Sequence, residues 1–344
     1  MLRRSPSIED IARAAGVANS TVSRALRDSP LISLDVRSHI QRLAREMGYT
    51  PNSIAQSLQN QQTNTIGLVV TSISDPFFGD VMRGVEEIAH PAGLSIFLGA
   101  GHNNTTHEAE VIETFHRRRV DGILVASSQV SDNQIARLSQ VRIPIVLVNS
   151  NADVLGDSLR SVDVDDARGT RQAVEHLLEL GHRNIGYLGA ANRPRSNKRR
   201  LNAYLATLTA AGVPSNPNLV VIAPADDLPH YDDASAGQAL LEPLLRAGAT
   251  AIVCYNDMVA VGVLQACRER GIDVPGQLSV VGFDDIEIAR YMAPALTTVR
   301  QPRVELGRAG MQLLLDLMYN RPVQDHSLEP QLVVRASSAP PNAV

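Results

Sequence analysis

The sequence predicts two fold classes in one chain, an all-α headpiece and a two-lobed α/β domain with parallel sheets. Short helical patterns crowd residues 7–58, and a polar linker follows from Gln59 to Asn64. Beyond the linker, apolar runs of strand length alternate with helical patterns. The 344 residues, 44% of them hydrophobic, suffice for two or three folded units. We therefore place the headpiece at residues 1–50, a hinge helix and linker at 51–62, and the α/β domain at 63–340.

The first helix is predicted to begin after Ser7 and to end at Gly16. Ser7 and Asp10 have the spacing of a capping box, in which two side chains satisfy amides of the first helical turn. Glycine then ends the helix, because it tolerates the left-handed conformation that follows many helices. An apolar stripe recurs at helical spacing, formed by Ile8, Ile11, Ala12 and Ala15.

A second helix follows almost at once, from Asn19 to Leu26. Its first turn consists of small hydrogen-bonding side chains, and it carries one arginine, Arg24. Packing residues are few, namely Val22, Ala25 and Leu26. This composition suits a recognition helix, whose N-terminal residues must approach base edges and phosphates in the major groove. Residues 7–26 therefore predict a helix-turn-helix.

Two further helices complete the N-terminal region. A third helix is predicted from about Asp35 to Met47, with Ser33 as its N-cap and Gly48 as its stop. A short fourth helix opens at Pro51. One or two turns are unstable alone, so we expect the fourth helix to form only against a partner. One of its apolar side chains could then wedge between base steps from the minor groove.

Three segments of this region closely resemble the headpiece and hinge of the lactose-repressor (LacI/GalR) family. They are Ala15-Gly16-Val17, Thr21-Val22-Ser23-Arg24, and Gly48-Tyr49-Thr50-Pro51-Asn52 with Ala55 and Leu58. The resemblance implies a sequence-specific DNA-binding regulator, in most cases a repressor. It implies base contacts in the major groove by Asn19, Ser20 and Arg24, phosphate contacts by Thr21 and Ser23, and minor-groove contacts by Asn52, Ala55 and Leu58. We also predict that Ser33 contacts DNA.

The sequence departs from the family at the start of the recognition helix. Ala18 stands where the family usually has a capping serine. Loss of such a cap typically costs about 1 kcal/mol. We therefore expect Asn19 to cap the helix, a role that competes with base reading.

Charge is divided unevenly along the chain, whose net charge is −4. Residues 1–60 contain eight arginines and five acidic residues, which gives +3 and leaves −7 for the remainder. A basic head on an acidic body fits DNA contact confined to one end. With no apolar run of 18 residues and no leader-like segment at the N-terminus, we expect a cytoplasmic protein without a membrane partner. Cys254 and Cys267 indicate neither a disulfide framework nor a metal site.

The α/β domain is predicted to contain two lobes divided near Gly156–Val164. Lobe one spans about 63–161 and 295–323, and lobe two spans about 162–291 and 326–338. The predicted strands are Thr65–Thr71, Leu94–Gly99, Asp121–Ala126, Ile143–Val148, Asn184–Gly189, Leu219–Ala223, Ala251–Tyr255, Leu278–Phe283 and Leu296–Val299. Ligands of open α/β sheets bind beyond the carboxyl ends of the strands. Side chains suited to binding follow most of these strands: Phe77, Phe78, Ser127, Asn149, Arg200, Asn256, Asp284 and Gln301.

The body also resembles the family's effector domain, and through it the periplasmic ribose-type sugar-binding proteins, over residues 62–338. The signatures are Ser74-Asp75-Pro76-Phe77-Phe78, Val174–Arg183, Asn256-Asp257, Val281–Asp285 and Leu296–Val299. The resemblance implies a periplasmic-binding-protein-like domain in which two phenylalanines stack on a sugar ring. In this resemblance the hydroxyl groups of the sugar would be held by Arg200, Asn256, Asp284 and Gln301. A monosaccharide needs an aromatic platform and charged partners, so the chemistry agrees. We interpret the remaining run from Arg193 to Arg199 as a solvated loop.

Other functions are less well supported by the sequence. Gly99-Ala100-Gly101 lacks the third glycine of a dinucleotide fingerprint, and neither a GxSxG elbow nor a P-loop occurs, so we predict no enzyme and no cofactor. A sugar-transport protein would carry no headpiece. The alternative left open is the same architecture responding to a purine or nucleoside, possibly as a corepressor. The expected partners are operator DNA, a small monosaccharide effector and a second copy of the chain. We expect the assembly to stop at a homodimer, because residues 336–344 contain two prolines and no leucine heptad.

Overall fold

The computed structural model describes residues 6–49, 62–102, 104–126, 143–149, 159–224 and 233–342. The chain divides into two compact units, residues 1–63 and 64–344. Four predicted site residues lie outside the described ranges, namely Asn52, Ala55, Leu58 and Ser127.

The headpiece contains three helices, α1 (Ile8–Ala15), α2 (Asn19–Ala25) and α3 (Leu34–Glu46). The predicted capping box is confirmed: the Ser7 amide donates to Asp10 Oδ2 at 2.9 Å, and the Asp10 amide donates to Ser7 Oγ at 3.3 Å. Gly16 follows α1 with a φ of 65°, which explains why a glycine ends the helix. One residue from each helix fills the centre of the small core, namely Ile11, Val22 and Ile40.

The expected cap on the recognition helix is wrong. Helix α2 begins with Asn19, and its N-cap is Ala18, which makes no side-chain cap hydrogen bond. Asn19 is therefore inside the helix, where its exposed side chain is not used as a cap. Ser33 is the N-cap of α3 as predicted, but it too makes no side-chain cap hydrogen bond. The first turns of α2 and α3 thus lack the side-chain caps that the sequence suggested.

The α/β unit alternates strands and helices through most of its length. Its first part contains β1 (Thr65–Val70), α4 (Pro76–Ala89), β2 (Ser95–Ala100), α5 (Thr105–Arg117), β3 (Gly122–Ala126), β4 (Ile145–Val148) and β5 (Leu159–Val164). Its middle part contains α6 (Asp166–Glu179), β6 (Ile185–Ala190), α7 (Pro194–Ala210), β7 (Val220–Ala223), α8 (Asp233–Ala239), α9 (Leu241–Arg246), β8 (Ala251–Cys254), α10 (Asp257–Glu269), β9 (Ser279–Asp284) and β10 (Thr297–Arg300). Its last part contains α11 (Arg303–Met318), β11 (His326–Leu328) and β12 (Gln331–Val333), and two 3₁₀ turns occupy Pro217–Leu219 and Glu287–Arg290.

These strands form two six-stranded sheets, one in each lobe. The order is β11-β5-β4-β3-β1-β2 in lobe one and β12-β10-β9-β8-β6-β7 in lobe two. Neighbouring strands are parallel except for the β10–β12 pair, which is antiparallel. Strands β3, β4, β6, β8 and β9 are buried along their whole length, as expected for a parallel sheet covered on both faces.

The lobe boundaries differ from the prediction in three places. Strand β5 occupies the segment that was predicted to be the break between the lobes. The strand was missed because its polar residues Arg160 and Asp163 interrupt the apolar pattern. Strand β10 belongs to lobe two, although its residues were assigned to lobe one, and β11 belongs to lobe one. The chain therefore crosses between lobes after β5, β10 and β11. Strands β11 and β12 have only three residues each, none of them buried, so their sequence carries little strand signal.

Asp163 is a buried carboxylate at the end of β5, just before the first crossing. It is 4% exposed and accepts a hydrogen bond from Ser161 Oγ at 3.0 Å. Burial raises the pKa of Asp163 to about 7, against the opposing effects of Ser161 and Arg199. A carboxyl with a raised folded-state pKa contributes most stability below its unfolded pKa of 3.8 and loses that contribution as pH rises to about 7.

Asp163→Asn is therefore expected to flatten the pH dependence of unfolding between pH 4 and pH 7. At pH 8 the variant should be more stable than the parent by up to about 4 kcal/mol, since asparagine needs no deprotonation and can accept from Ser161. Urea titrations across this pH range measure the difference. Glu175→Gln, on the exposed side of α6, is the control and should keep the parental slope. Parallel curves for Asp163→Asn and the parent would contradict the prediction.

Candidate functional site

The predicted DNA-contacting residues of the headpiece lie mainly on α2. Asn19, Ser20 and Arg24 are exposed, whereas Thr21 and Ser23 are half-buried. The opposite side of α2 is fixed by Val22 and Ala25, which are fully buried. Ser23 Oγ accepts a hydrogen bond from Arg27 Nη2 at 3.2 Å. Helix α2 thus presents polar side chains to solvent in its first turn and a guanidinium beyond it, the arrangement needed to read a major groove.

A cavity lies between the lobes, at the carboxyl ends of strands from both sheets. Seven of the predicted effector-binding residues line it together, namely Phe77, Phe78, Asn149, Arg200, Asn256, Asp284 and Gln301. Five lining residues were not predicted, namely Asp75, Ala126, Val148, Arg193 and Tyr255. The rule that ligands bind beyond the carboxyl ends of parallel strands therefore located the cavity.

Phe77 and Phe78 form the apolar wall of the cavity. They lie in the first turn of α4, whose N-cap Asp75 accepts a hydrogen bond from the Phe77 amide at 3.0 Å. Their rings meet edge to face, with centroids 5.3 Å apart and planes at 87°. Both rings also belong to the core of lobe one, and their exposed fractions are 5% and 6%. The rings are therefore held rigidly where they face the cavity.

Arg200 lies in lobe two and is fixed by contacts on all sides. Its Nε donates to Asp166 Oδ1 at 2.7 Å, and its Nη1 donates to the Tyr255 carbonyl at 2.5 Å. Its guanidinium carbon lies 3.6 Å from the centre of the Phe283 ring. Burial disfavours the charge, but the attraction of Asp166 and Tyr255 outweighs it and raises the pKa of Arg200. Arg200 is therefore a charged, oriented donor in the cavity wall.

Asp284 ends β9 in an unusual backbone conformation, with a φ of 121°. Its Oδ1 accepts from Gln301 Nε2 at 2.6 Å, and its carbonyl accepts from the Arg303 guanidinium. Burial raises the pKa of Asp284 to about 7, although Arg200 favours its charged form. A carboxyl held in this way can accept hydrogen bonds from a ligand when charged and donate one when protonated.

Asp257 holds the turn that carries Asp284. It is fully buried, and its Oδ2 accepts from the Ile286 amide at 2.8 Å, while Thr298 Oγ1 donates to its other oxygen. Asn256, the residue before it, caps α10 by accepting from the Val259 amide at 2.9 Å. The sequence placed Asn256 and Asp257 after a strand but gave no sign that Asp257 supports Asp284, because the contact joins segments 29 residues apart.

The interpretation of residues 193–199 as a solvated loop is wrong. Helix α7 begins at Pro194, and Arg193, Ser196 and Asn197 are all buried. Ser196 Oγ lies 2.7 Å from the Tyr255 hydroxyl, and Asn197 Oδ1 accepts from the Tyr187 hydroxyl at 3.0 Å. Proline at the first helical position was the available signal for this helix. The many basic residues of this segment suggested full solvent exposure, although one face of the helix packs into lobe two.

The described part of the chain contains no cluster of three histidine, cysteine, aspartate or glutamate side chains suited to a metal ion. Cys254 and Cys267 are free thiols, and both are buried. Among the helices that the structure describes, none is both long and apolar enough to cross a bilayer.

Two family models match the chain. The model of bacterial regulatory proteins of the lacI family matches residues 7–52, and that of the periplasmic binding protein-like domain matches residues 174–338. The HTH-type transcriptional regulator GalR of Escherichia coli K12 is 36% identical over 340 residues, with 98% of this chain and 96% of that protein covered.

Solved structures of lacI-family regulators are also similar to this chain. The lac repressor dimer bound to operator and the anti-inducer ONPF superposes with a TM-score of 0.86 at 25% identity, covering 98% of this chain and 100% of that one. A LacI family regulator from Enterococcus faecium with bound ribose gives a TM-score of 0.70 at 29% identity, covering 80% and 99%.

Proposed function

We propose, from the premise that this chain belongs to the lacI family of bacterial regulatory proteins, that it is a homodimeric repressor controlled by a small sugar. The chain is a DNA-binding transcriptional regulator, as its relatives are, and no catalytic role is proposed for it. It acts in the cytoplasm on a near-palindromic operator. The sugar binds between the lobes and, we propose, releases the operator by shifting the lobes between two arrangements.

The observation that carries the sugar proposal is the mixture of groups around the cavity. An aromatic wall faces an arginine, an asparagine, an aspartate and a glutamine, which can hold the hydroxyls of a sugar ring. Gln301 Oε1 is buried and has no hydrogen-bond partner among the described residues, so a ligand hydroxyl would satisfy it.

A thermal-shift screen tests the ligand. Ribose, other pentoses, hexoses, nucleosides and purine bases are added separately to the full chain, and the melting temperature is recorded. A ligand at a hundred times its dissociation constant stabilises the fold by about 2.7 kcal/mol. We expect a response to at least one monosaccharide, followed by loss of operator binding at the same concentration. If a nucleoside or purine raised the melting temperature and no sugar did, the sugar proposal would be wrong. The assignment of the chain as a DNA-binding regulator would still stand.

Arg24→Ala is expected to weaken specific operator binding about 10- to 100-fold, the cost of losing a base contact worth 1–3 kcal/mol. The headpiece should remain folded, because Arg24 is exposed and contributes nothing to the core. Gel-shift titrations on specific and scrambled DNA at one salt concentration measure the effect.

Arg45→Ala is the matched control for Arg24→Ala. It removes an equal charge from an exposed position near the end of α3, outside the recognition helix. We expect Arg45→Ala to weaken binding to both DNAs slightly and equally, since a charge acts on any sequence. If Arg24→Ala behaved in the same way, its side chain would not be reading bases.

A further inference from the structure

An ion pair joins the two lobes across the cleft. Asp75 caps α4 in lobe one, and Arg193 precedes α7 in lobe two. Arg193 Nη2 lies 3.7 Å from Asp75 Oδ2, and their side chains are 8% and 19% exposed. Neither residue belongs to a segment in which the chain crosses from one sheet to the other. The pair therefore exists only when the lobes are close together.

The Arg193 guanidinium also has a partner within its own lobe. Asp233, the first residue of α8, places Oδ2 3.8 Å from the same Nη2 atom. Each carboxylate is fixed by its own lobe, since Asp233 accepts from Asn256 Nδ2 at 2.6 Å and Asp75 accepts from the Phe77 amide. Arg193 thus lies between one carboxylate from each lobe, at nearly equal distances.

We propose that Arg193 is an interlobe latch, whose ion pair with Asp75 holds the ligand-free cleft closed. Separation of the lobes would break the contact with Asp75 but keep the contact with Asp233. The pair lies in the cavity wall, where water screens charges less than at an open surface, so its attraction is stronger there. Burial raises the pKa of Asp75, and Arg193 is the main group that favours its charged form. The proposal concerns the ligand-free protein and does not depend on which ligand binds.

Spin labels on the two lobes test the latch. The labels are attached through Glu86→Cys in α4 and Lys198→Cys in α7, both exposed, while Cys254 and Cys267 are buried. Double electron–electron resonance then measures the distance distribution in the ligand-free full chain. We expect Arg193→Gln and Asp75→Asn each to raise the open-to-closed ratio about tenfold. Asparagine keeps the cap on α4, so the second variant removes the charge alone.

Three control variants separate a latch from a structural role within lobe two. Asp233→Asn removes only the partner in the same lobe and should keep the parental distances. Arg193→Lys retains a cation and should recover part of the closed population. Asp75→Asn should cause no further opening in a chain that already carries Arg193→Gln.

The proposal is overturned if Asp75→Asn leaves the distance distribution unchanged. It is also overturned if Asp233→Asn opens the cleft as far as Asp75→Asn does. Should Arg193→Gln fail to fold, the comparison of Asp75→Asn with Asp233→Asn decides the matter, because both replace a carboxylate with an amide of nearly equal size.

Discussion

Arg200→Met is expected to lose the thermal response to the effector and to destabilise the α/β unit. The substitution leaves the Asp166 carboxylate, whose side chain is 5% exposed, without its cation. Removal of one partner from a buried ion pair typically costs 3–5 kcal/mol, because the other charge stays buried. For a unit of this size the melting temperature should fall by about 10 °C. The ligand response should disappear, because the oriented donor in the cavity wall is gone.

A second variant separates the loss of stability from the loss of binding. Asp166→Asn combined with Arg200→Met removes both charges, so most of the lost stability should return while the ligand response stays absent. Lys198→Met, an exposed position on the same helix, controls for the removal of a charge from α7. A double variant that melts like the parent and still responds to the ligand would exclude Arg200 from the binding site.

The sequence located the strands best where burial alone defines them. Strands β1, β3, β8 and β9 are continuous apolar runs, and each was predicted to within two residues of its observed bounds. Strands β5, β11 and β12 were missed because they are short or carry polar residues, and their strand form depends on pairing with distant segments. The crossings between lobes were misplaced for the same reason.

The residues of the candidate cleft also differ in how well the sequence predicts them, depending on whether local sequence or contacts with distant segments determine their roles. Residues that directly follow apolar strands, such as Asn256 and Asp284, could be assigned from position alone. Arg193 and Asp257 could not, because their roles come from contacts with Asp75 and Ile286 in distant segments. A buried arginine and an exposed one look alike in a sequence, and only the packing of the lobes distinguishes them.

Gly84→Ala is expected to destabilise lobe one and to disrupt the cleft, because α4 and α11 pack backbone against backbone. A Cβ atom on Gly84 would lie 2.0 Å from the Val304 carbonyl oxygen, and one on Gly307 would lie 2.0 Å from the Val81 carbonyl oxygen. A carbonyl within a helix cannot rotate away as a side chain can, so the helices must separate. The cost should reach about 3 kcal/mol, the upper part of the range for overpacked cores.

The same displacement should reach the ligand site, since α4 begins with the cap and the two phenylalanines that form one wall of the cavity. We therefore expect a lower melting temperature together with a weakened thermal response to the effector. Gly79→Ala, on the same helix, is the matched control. It is exposed with nothing within 4 Å of the added methyl group, and it should gain up to about 1 kcal/mol from helix propensity. If both alanine variants melted at the same temperature, close approach of α4 to α11 would not be what positions the aromatic wall.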